Sequence, residues 1–287
     1  MQDILITRPE SFPETFPLLT DMIVERGTMD DWEQLHELHY KAEGRIVGRT
    51  WRCMLGDQLI AVMIVSSPRL LLAGRHEAFP KLKPGNDNKL TNTYRAKYVN
   101  KHFNLNSRIV VDTMFRSVGV SYRMLNLVSR MEGKSFMEIQ SSMSRFNPFA
   151  IKAGFKFTKP RSAKAYDAGL TFMRRYFTSH PSDHQAILDE LESMGSRLRA
   201  RTLKAVREFY YRHSAREKTG VNLGAKEDNM ARIEGYTPAF LIKNLQQLVF
   251  ASPMYGVYPN PDVGRKLPES LPLIAFDRQR TDEPLRL

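Results

Sequence analysis

The residues with the clearest chemical promise form one short run, Arg116-Ser117-Val118-Gly119-Val120-Ser121. It follows Arg108-Ile109-Val110-Val111-Asp112, which reads as a buried strand, and precedes residues 122–130, where Met124, Leu125 and Val128 share a helical face. A chain that leaves a strand and enters a helix presents unpaired N–H groups at the positive end of the helix dipole. Phosphate binds there if the backbone can come close. Gly119 permits that approach, the small Ser121 keeps the helix entrance open, and Arg116 adds a charged contact. A phosphate-holding loop is therefore expected; a plain strand-to-helix turn would carry the same residues.

A second feature is electrostatic. Residues 196–218 read as a helix carrying Arg197, Arg199, Arg201, Lys204, Arg207, Arg212, Arg216 and Lys218 against only Glu208 and Glu217. That imbalance exceeds ordinary salt-bridge lacing and points to a polyanion, with Arg199, Arg201, Lys204, Arg207 and Arg212 as candidate nucleic-acid contacts. A solvated helix face is the plainer reading. Phe209-Tyr210-Tyr211 fits core packing better than base stacking. Cys53 lies in an apolar run and reads as a small core residue.

Several elements must position these groups. A helix starts at Asp30-Asp31-Trp32-Glu33 and sets Trp32, Leu35, Leu38 and His39 on one face. Residues 50–55 and 59–66 flank Gly56-Asp57-Gln58 as a hairpin. Residues 81–92, with Pro84, Gly85 and several Asn, read as a long polar loop. A strand over 136–142 leads to Asn147-Pro148, where Asn147 can cap and Pro148 can begin a helix that stops at Gly154. Strand character resumes at 155–157. Beyond about residue 165 the texture turns helical, over 183–194, 196–218 and 238–249. Residues 253–287 read as surface-wrapping or partly disordered.

The 287 residues carry 43 Lys+Arg against 31 Asp+Glu, a net charge of +12, with 42% hydrophobic and 26% charged residues. This is globular composition, which excludes wholesale disorder. The longest apolar stretch, 59–65, is far short of the ~20 residues of a membrane helix. The first ten residues lack a signal-peptide layout. One cysteine makes no internal disulfide and no thiolate zinc site. A soluble cytoplasmic protein is the expectation.

The strand–loop–helix resembles the pyrophosphate loop of the GNAT acyltransferase superfamily, Arg/Gln-x-x-Gly-x-Gly/Ala, with Ser121 departing from the usual last residue. The order of elements over 30–157 is similar to that family, and Lys152-Ala153-Gly154-Phe155 looks like its late Ala-Gly-aromatic segment. Over about residues 35–160 the chain further resembles the Mom-like phage DNA-modification branch, related to GNAT-like domains associated with ABC-type ATPases. That resemblance rests on His39-Tyr40, Val65-Ser66-Ser67-Pro68, Asn106-Ser107-Arg108-Ile109-Val110-Val111, Phe115-Arg116-Ser117-Val118-Gly119, Glu138 with Ser142-Met143, and Asn147-Pro148-Phe149-Ala150-Ile151.

The resemblance implies an α/β (α+β) fold with a mixed central sheet and flanking helices over residues 1–165, and a helical basic extension over 166–287. It implies acetyl-CoA or a related acyl-CoA as cofactor, iron as the implicated metal, and adenine N6 in DNA as the acceptor of an acetamide-like (carbamoylmethyl) group. Arg116, Val118, Gly119 and Ser121 would hold the pyrophosphate, and Val110 and Val111 would lend backbone groups to the pantetheine arm. His39, Tyr40, Glu138 and Ser142 would sit at the reacting end, with His39 as base or metal ligand. The plainer alternatives are a packed structural histidine at 39 and a solvent-facing Glu138. The function expected is a Mom-type DNA-modifying transferase in the host cytoplasm. The alternatives are an N-acyltransferase for a protein or small-molecule amine, or a non-catalytic nucleic-acid-binding scaffold. No membrane partner is expected, and the oligomeric state stays open, a homodimer included.

Overall fold

The computed structural model describes residues 17–39, 46–84, 88–145, 147–158, 163–214, 217, 222, 224–250 and 253–287. In chain order its elements begin with α1 (Pro17–Thr20), β1 (Met22–Arg26), α2 (Met29–Leu35), β2 (Arg49–Leu55) and β3 (Gln58–Ser66). Next come α3 (Ala73–Ala78), α4 (Asn88–His102), β4 (Phe103–Val111), α5 (Val120–Met131), β5 (Phe136–Ser141), α6 (Phe149–Lys152) and β6 (Lys156–Phe157). Five helices follow: α7 (Ala163–Tyr176), α8 (His184–Ser193), α9 (Ser196–His213), α10 (Lys226–Glu234) and α11 (Pro238–Phe250). The chain ends with β7 (Met254–Pro259) and β8 (Leu271–Pro272).

The strands form one mixed sheet, ordered β6-β7-β5-β4-β3-β2-β1-β8. Only β4 and β5 run parallel, as the helical crossover through α5 requires. Alternation along β3 sorts the two faces. Ala61, Met63 and Val65 join Met124, Leu125 and Val128 of α5 in the main core, while Val62 and Ile64 pack with Val110, Trp32 and Leu35.

The end of α5 is anchored by a buried carboxylate. Glu132 accepts hydrogen bonds from Trp51 Nε1 at 2.7 Å, Asn104 Nδ2 at 2.9 Å and Arg26 Nη1 at 3.1 Å, and pairs with Arg49. A carboxylate at a helix C-terminus opposes the dipole, and the two guanidiniums offset that cost. Two residues earlier, Arg130 spends its donors on Asn126, Asp262 and the carbonyls of Arg280, Thr281 and Glu283. The helix is thus fixed to β1, β2, β4 and the C-terminal segment, which sets where its N-terminus points.

Three expectations change. Residues 253–287 do not merely wrap the surface: β7 pairs with both β5 and β6 inside the sheet, and the closing segment is bolted to Arg130. The division of the chain therefore falls elsewhere than at 165. One compact unit comprises 1–158 with 254–287, and the helical residues 159–253 form the other, inserted before β7. Finally, the polar stretch read as a loop over 81–92 contains the start of α4, a helix without an apolar periodicity to announce it. Its buried Arg95 and Val99 are what hold it to the rest of the unit.

The inserted unit has its own core, built from Met173 and Phe177, Ile187 and Leu191, Val206 and Tyr210, Ile233, and Leu241, Ile242, Leu245 and Val249. No helix of the described residues is long and apolar enough to cross a membrane.

Candidate functional site

The site begins where β4 and β5 part. Their ladder runs from Phe103↔Phe136 to Asn106↔Ile139, and β4 then continues to Val111 paired with β3 alone. Two parallel strands that separate at their C-terminal ends leave a crevice there, the usual ligand position in α/β sheets. The crevice is a cleft of about 540 Å³. Asp112 N–H donates to the Ile60 carbonyl, so by antiparallel alternation Val110 turns its backbone groups to β3 while Ile109 and Val111 turn theirs to the open side.

The loop from β4 to α5 is tightly turned. Asp112 caps a single 3-10 turn by accepting from Met114 N–H at 2.8 Å. Ser117 and Gly119 both take positive φ, +71° and +94°, and Gly119 stands as the residue before α5 without a side-chain cap. The first N–H groups of a twelve-residue helix are thereby left to face the cleft. Arg116 is exposed and donates to the carbonyls of Val111 at 3.3 Å and Leu38 at 3.5 Å, joining the loop to the segment that carries His39. Phosphate is the chemistry such an end suits.

The charge of the lining agrees. Arg108, Arg116 and Lys152 line the cleft with His39, and no described lining residue is acidic. The remaining polar groups are neutral: Asn106, Ser107, Gln140, Ser141 and Asn147 among them. Tyr122 stands at the helix entrance, its phenol pKa raised by burial, so it acts as a neutral hydroxyl.

Of the residues expected from sequence, His39, Val110, Val111, Arg116, Gly119 and Ser121 line this cleft. Val118 does not; it packs against the main core, and only its backbone belongs to the loop. Ser142 is buried between Ser141 and Met143, which do line the cleft. Tyr40 lies outside the described residues, as do Arg216 and Lys218.

Glu138 requires a correction, because it is neither solvent-facing nor at a reacting end. It is fully buried, holds Arg75 through two bonds of 2.6 Å, and accepts a third of 2.6 Å from Tyr255 Oη. Burial and the neighbouring Glu138 carboxylate raise the Tyr255 pKa, which keeps the phenol a donor. A carboxylate so committed cannot serve as a general base.

The basic residues sit on α9, in the inserted unit. Arg197, Arg201, Lys204 and Arg212 are exposed along one face, opposite the buried Thr202, Val206 and Tyr210. Arg199 and Arg207 are half-buried, and Arg207 donates to the Glu234 carbonyl at 3.1 Å. Phe209 stacks on Phe172 with centroids 4.2 Å apart, so its ring is used for packing.

Sequence reasoning passed over Asn106, Arg108, Gln140, Tyr122 and Lys152 as site residues. Arg108 carried a signal, being a charged residue in a run read as buried strand; Asn106 lies just before that run. Among the described residues no three His, Cys, Asp or Glu side chains converge as a metal set, and the cleft offers His39 alone. Iron therefore finds no matching ligand set in the described residues.

Cys53 is not a hidden nucleophile: burial pushes its thiol up to about 12. At neutral pH the thiolate is then nearly absent, and the thiolate is the reacting form. Iodoacetamide is expected to leave the native protein unlabelled and to label it once on unfolding. Rapid native labelling at Cys53 would contradict the burial.

No protein-family model matches the chain, and no curated protein or solved structure gives a significant match.

Proposed function

We propose that the chain is a DNA-modifying transferase of the Mom type, with a GNAT-like catalytic unit that carries a group from an acyl-CoA to the exocyclic N6 of adenine. The observation that supports this most is the pairing of a splayed β4–β5 cleft with an uncapped, Gly119-led helix N-terminus at its mouth. The residues present suit such a cofactor. The N–H groups at the start of α5, with Arg116, would hold its pyrophosphate, and the backbone groups of Ile109, with the N–H of Val111, would meet the amides of its arm. Bound there, the thioester would supply an activated acyl carbon, its C–S bond breaking as the N–C bond forms and coenzyme A leaving as the thiol.

The protein's own part is positioning and proton transfer. Adenine N6 is a weak base, so its proton must leave as the new bond forms. His39 is the one imidazole among the described lining residues, and it would take that proton. Glu138 has no part in this step. The base must leave the duplex to reach the cleft.

The exposed face of α9 would supply phosphate contacts. Replacing Arg197, Arg201 and Lys204 with alanine is expected to lower the salt slope of duplex DNA binding by about 2–3, roughly one per lost phosphate contact. Acetyl-CoA binding should not change. An unaltered slope in a filter-binding or fluorescence titration would remove α9 from the DNA interface.

The cleft speaks against ordinary amine acylation. A lysine-type ammonium would meet three cations and no described carboxylate. The direct test is the nucleoside profile of DNA from cells expressing the chain, where a heavier deoxyadenosine is expected.

A further inference from the structure

Asn106 occupies the point at which β4 leaves β5, in the last pair of their ladder. The register of β3 with β4 shifts at the next residue, Ser107, whose hydroxyl donates to the Ile64 carbonyl at 3.0 Å. Asn106 itself is only 5% exposed, lines the cleft, and leaves its carboxamide Oδ1 without a hydrogen-bond partner. Buried polar atoms in native proteins nearly always find partners, and an orphaned one is costly. An orphaned atom on a buried residue that lines a cleft marks a place where a ligand completes the bond.

The surroundings specify the donor. Next to Asn106 the polar lining is neutral, and the charges along the cleft are those of Arg108, Arg116 and Lys152. An alkylammonium would be repelled by these three and find no described counter-charge. A neutral N–H would satisfy Oδ1 without burying a new charge.

We propose that Asn106 is a specificity-determining residue of the cleft: its Oδ1 accepts a hydrogen bond from an N–H of a neutral bound molecule, an amide or an aromatic amine, and the site discriminates against alkylammonium groups. This rests on the cleft being the ligand site of the proposed transferase. The N–H can come from the amide arm of an acyl-CoA or from the amino group of an adenine.

Calorimetric titrations with acetyl-CoA, deoxyadenosine and Nα-acetyl-lysine methyl ester separate these sources. Asn106→Leu keeps the side-chain shape and removes the orphaned oxygen. Without ligand its Tm is expected to rise by about 2–4 °C. Its affinity should fall about tenfold for acetyl-CoA if the donor is the cofactor arm, or for deoxyadenosine if it is the acceptor. Asn106→Asp keeps the acceptor but adds charge, and is expected to admit the lysine ester that the unaltered protein rejects. Equal affinities of Asn106→Leu and unaltered protein for acetyl-CoA and deoxyadenosine would overturn this proposal alone, as would a lowered Tm of the ligand-free variant. Binding of none of the three by the unaltered protein would take the transferase reading down with it.

Discussion

Replacing Arg75 with alanine is expected to destabilise the sheet-bearing unit by about 3–5 kcal/mol, because it leaves a buried charge uncompensated. Arg75 and Glu138 are both fully buried, and the guanidinium also donates to the carbonyls of Arg69 at 2.7 Å and Leu70 at 3.2 Å. Tyr255, the third member, sits on β7, so the cluster ties that late strand to β5 and α3. Urea denaturation would measure the loss, and a change under 1 kcal/mol would contradict the account. The triple replacement Arg75→Met, Glu138→Leu, Tyr255→Phe should restore most of the stability, since well-packed apolar groups often replace a buried pair without loss. That variant also decides the role of Glu138. If the carboxylate is structural, as its three bonds indicate, the refolded triple variant modifies DNA as well as the unaltered protein is proposed to. A stable but inactive triple variant would return Glu138 to the chemistry.

Gly119→Val is expected to weaken acetyl-CoA binding about a hundredfold or more, an effect equal to one or two lost hydrogen bonds to a charged group. The residue holds φ at +94°, and an added Cβ would lie 2.2 Å from Arg123 Nη1 and 2.9 Å from the Tyr122 ring and hydroxyl. Arg123 and the Tyr122 ring must give way, which disturbs the 2.8 Å bond of Arg123 to Asp277 at the helix entrance. A positive φ alone costs a side chain about 1–2 kcal/mol, which could be mistaken for a binding effect. Gly133→Ala supplies the control: it takes φ of +71° at the other end of α5 and has no atom within 4 Å of the added Cβ. It should lose stability yet bind acetyl-CoA as before. Calorimetric titration of the two variants tests this, and equal affinities would withdraw the loop from cofactor binding.

The sequence made the site's frame legible where local rules suffice. The hairpin of β2 and β3, the strand β4 and the helix α5 follow from apolar patterning and from glycines at the turns, and with them came the Arg116–Ser121 loop. Legibility failed where distant partners decide. Glu138 reads like any strand carboxylate until β7, more than a hundred residues later, brings Tyr255 to it. Arg75 and Arg130 drew no attention in the sequence, yet both are fully buried, each paired with a carboxylate from a remote segment. β7 itself, Met-Tyr-Gly-Val-Tyr-Pro, looks like coil in isolation. Its Gly256 is needed because a Cβ there would come within 2.7 Å of Phe157 on β6, a contact only the folded sheet creates. The orphaned oxygen of Asn106 belongs to the same class, since nothing in a sequence tells which hydrogen bonds remain unmade.

Part of the excess positive charge lies in two places: three cations line the cleft, and a stripe marks the exposed face of α9. Both suit the proposed transferase, which would hold a polyanionic cofactor and work on DNA. The measurement that tests this most directly is mass spectrometry of nucleosides digested from the DNA of cells expressing the chain. A heavier deoxyadenosine is expected with the unaltered protein and with Gly133→Ala, and its loss with Gly119→Val. An unmodified deoxyadenosine profile, with acylated proteins or small amines in the same cells, would contradict it.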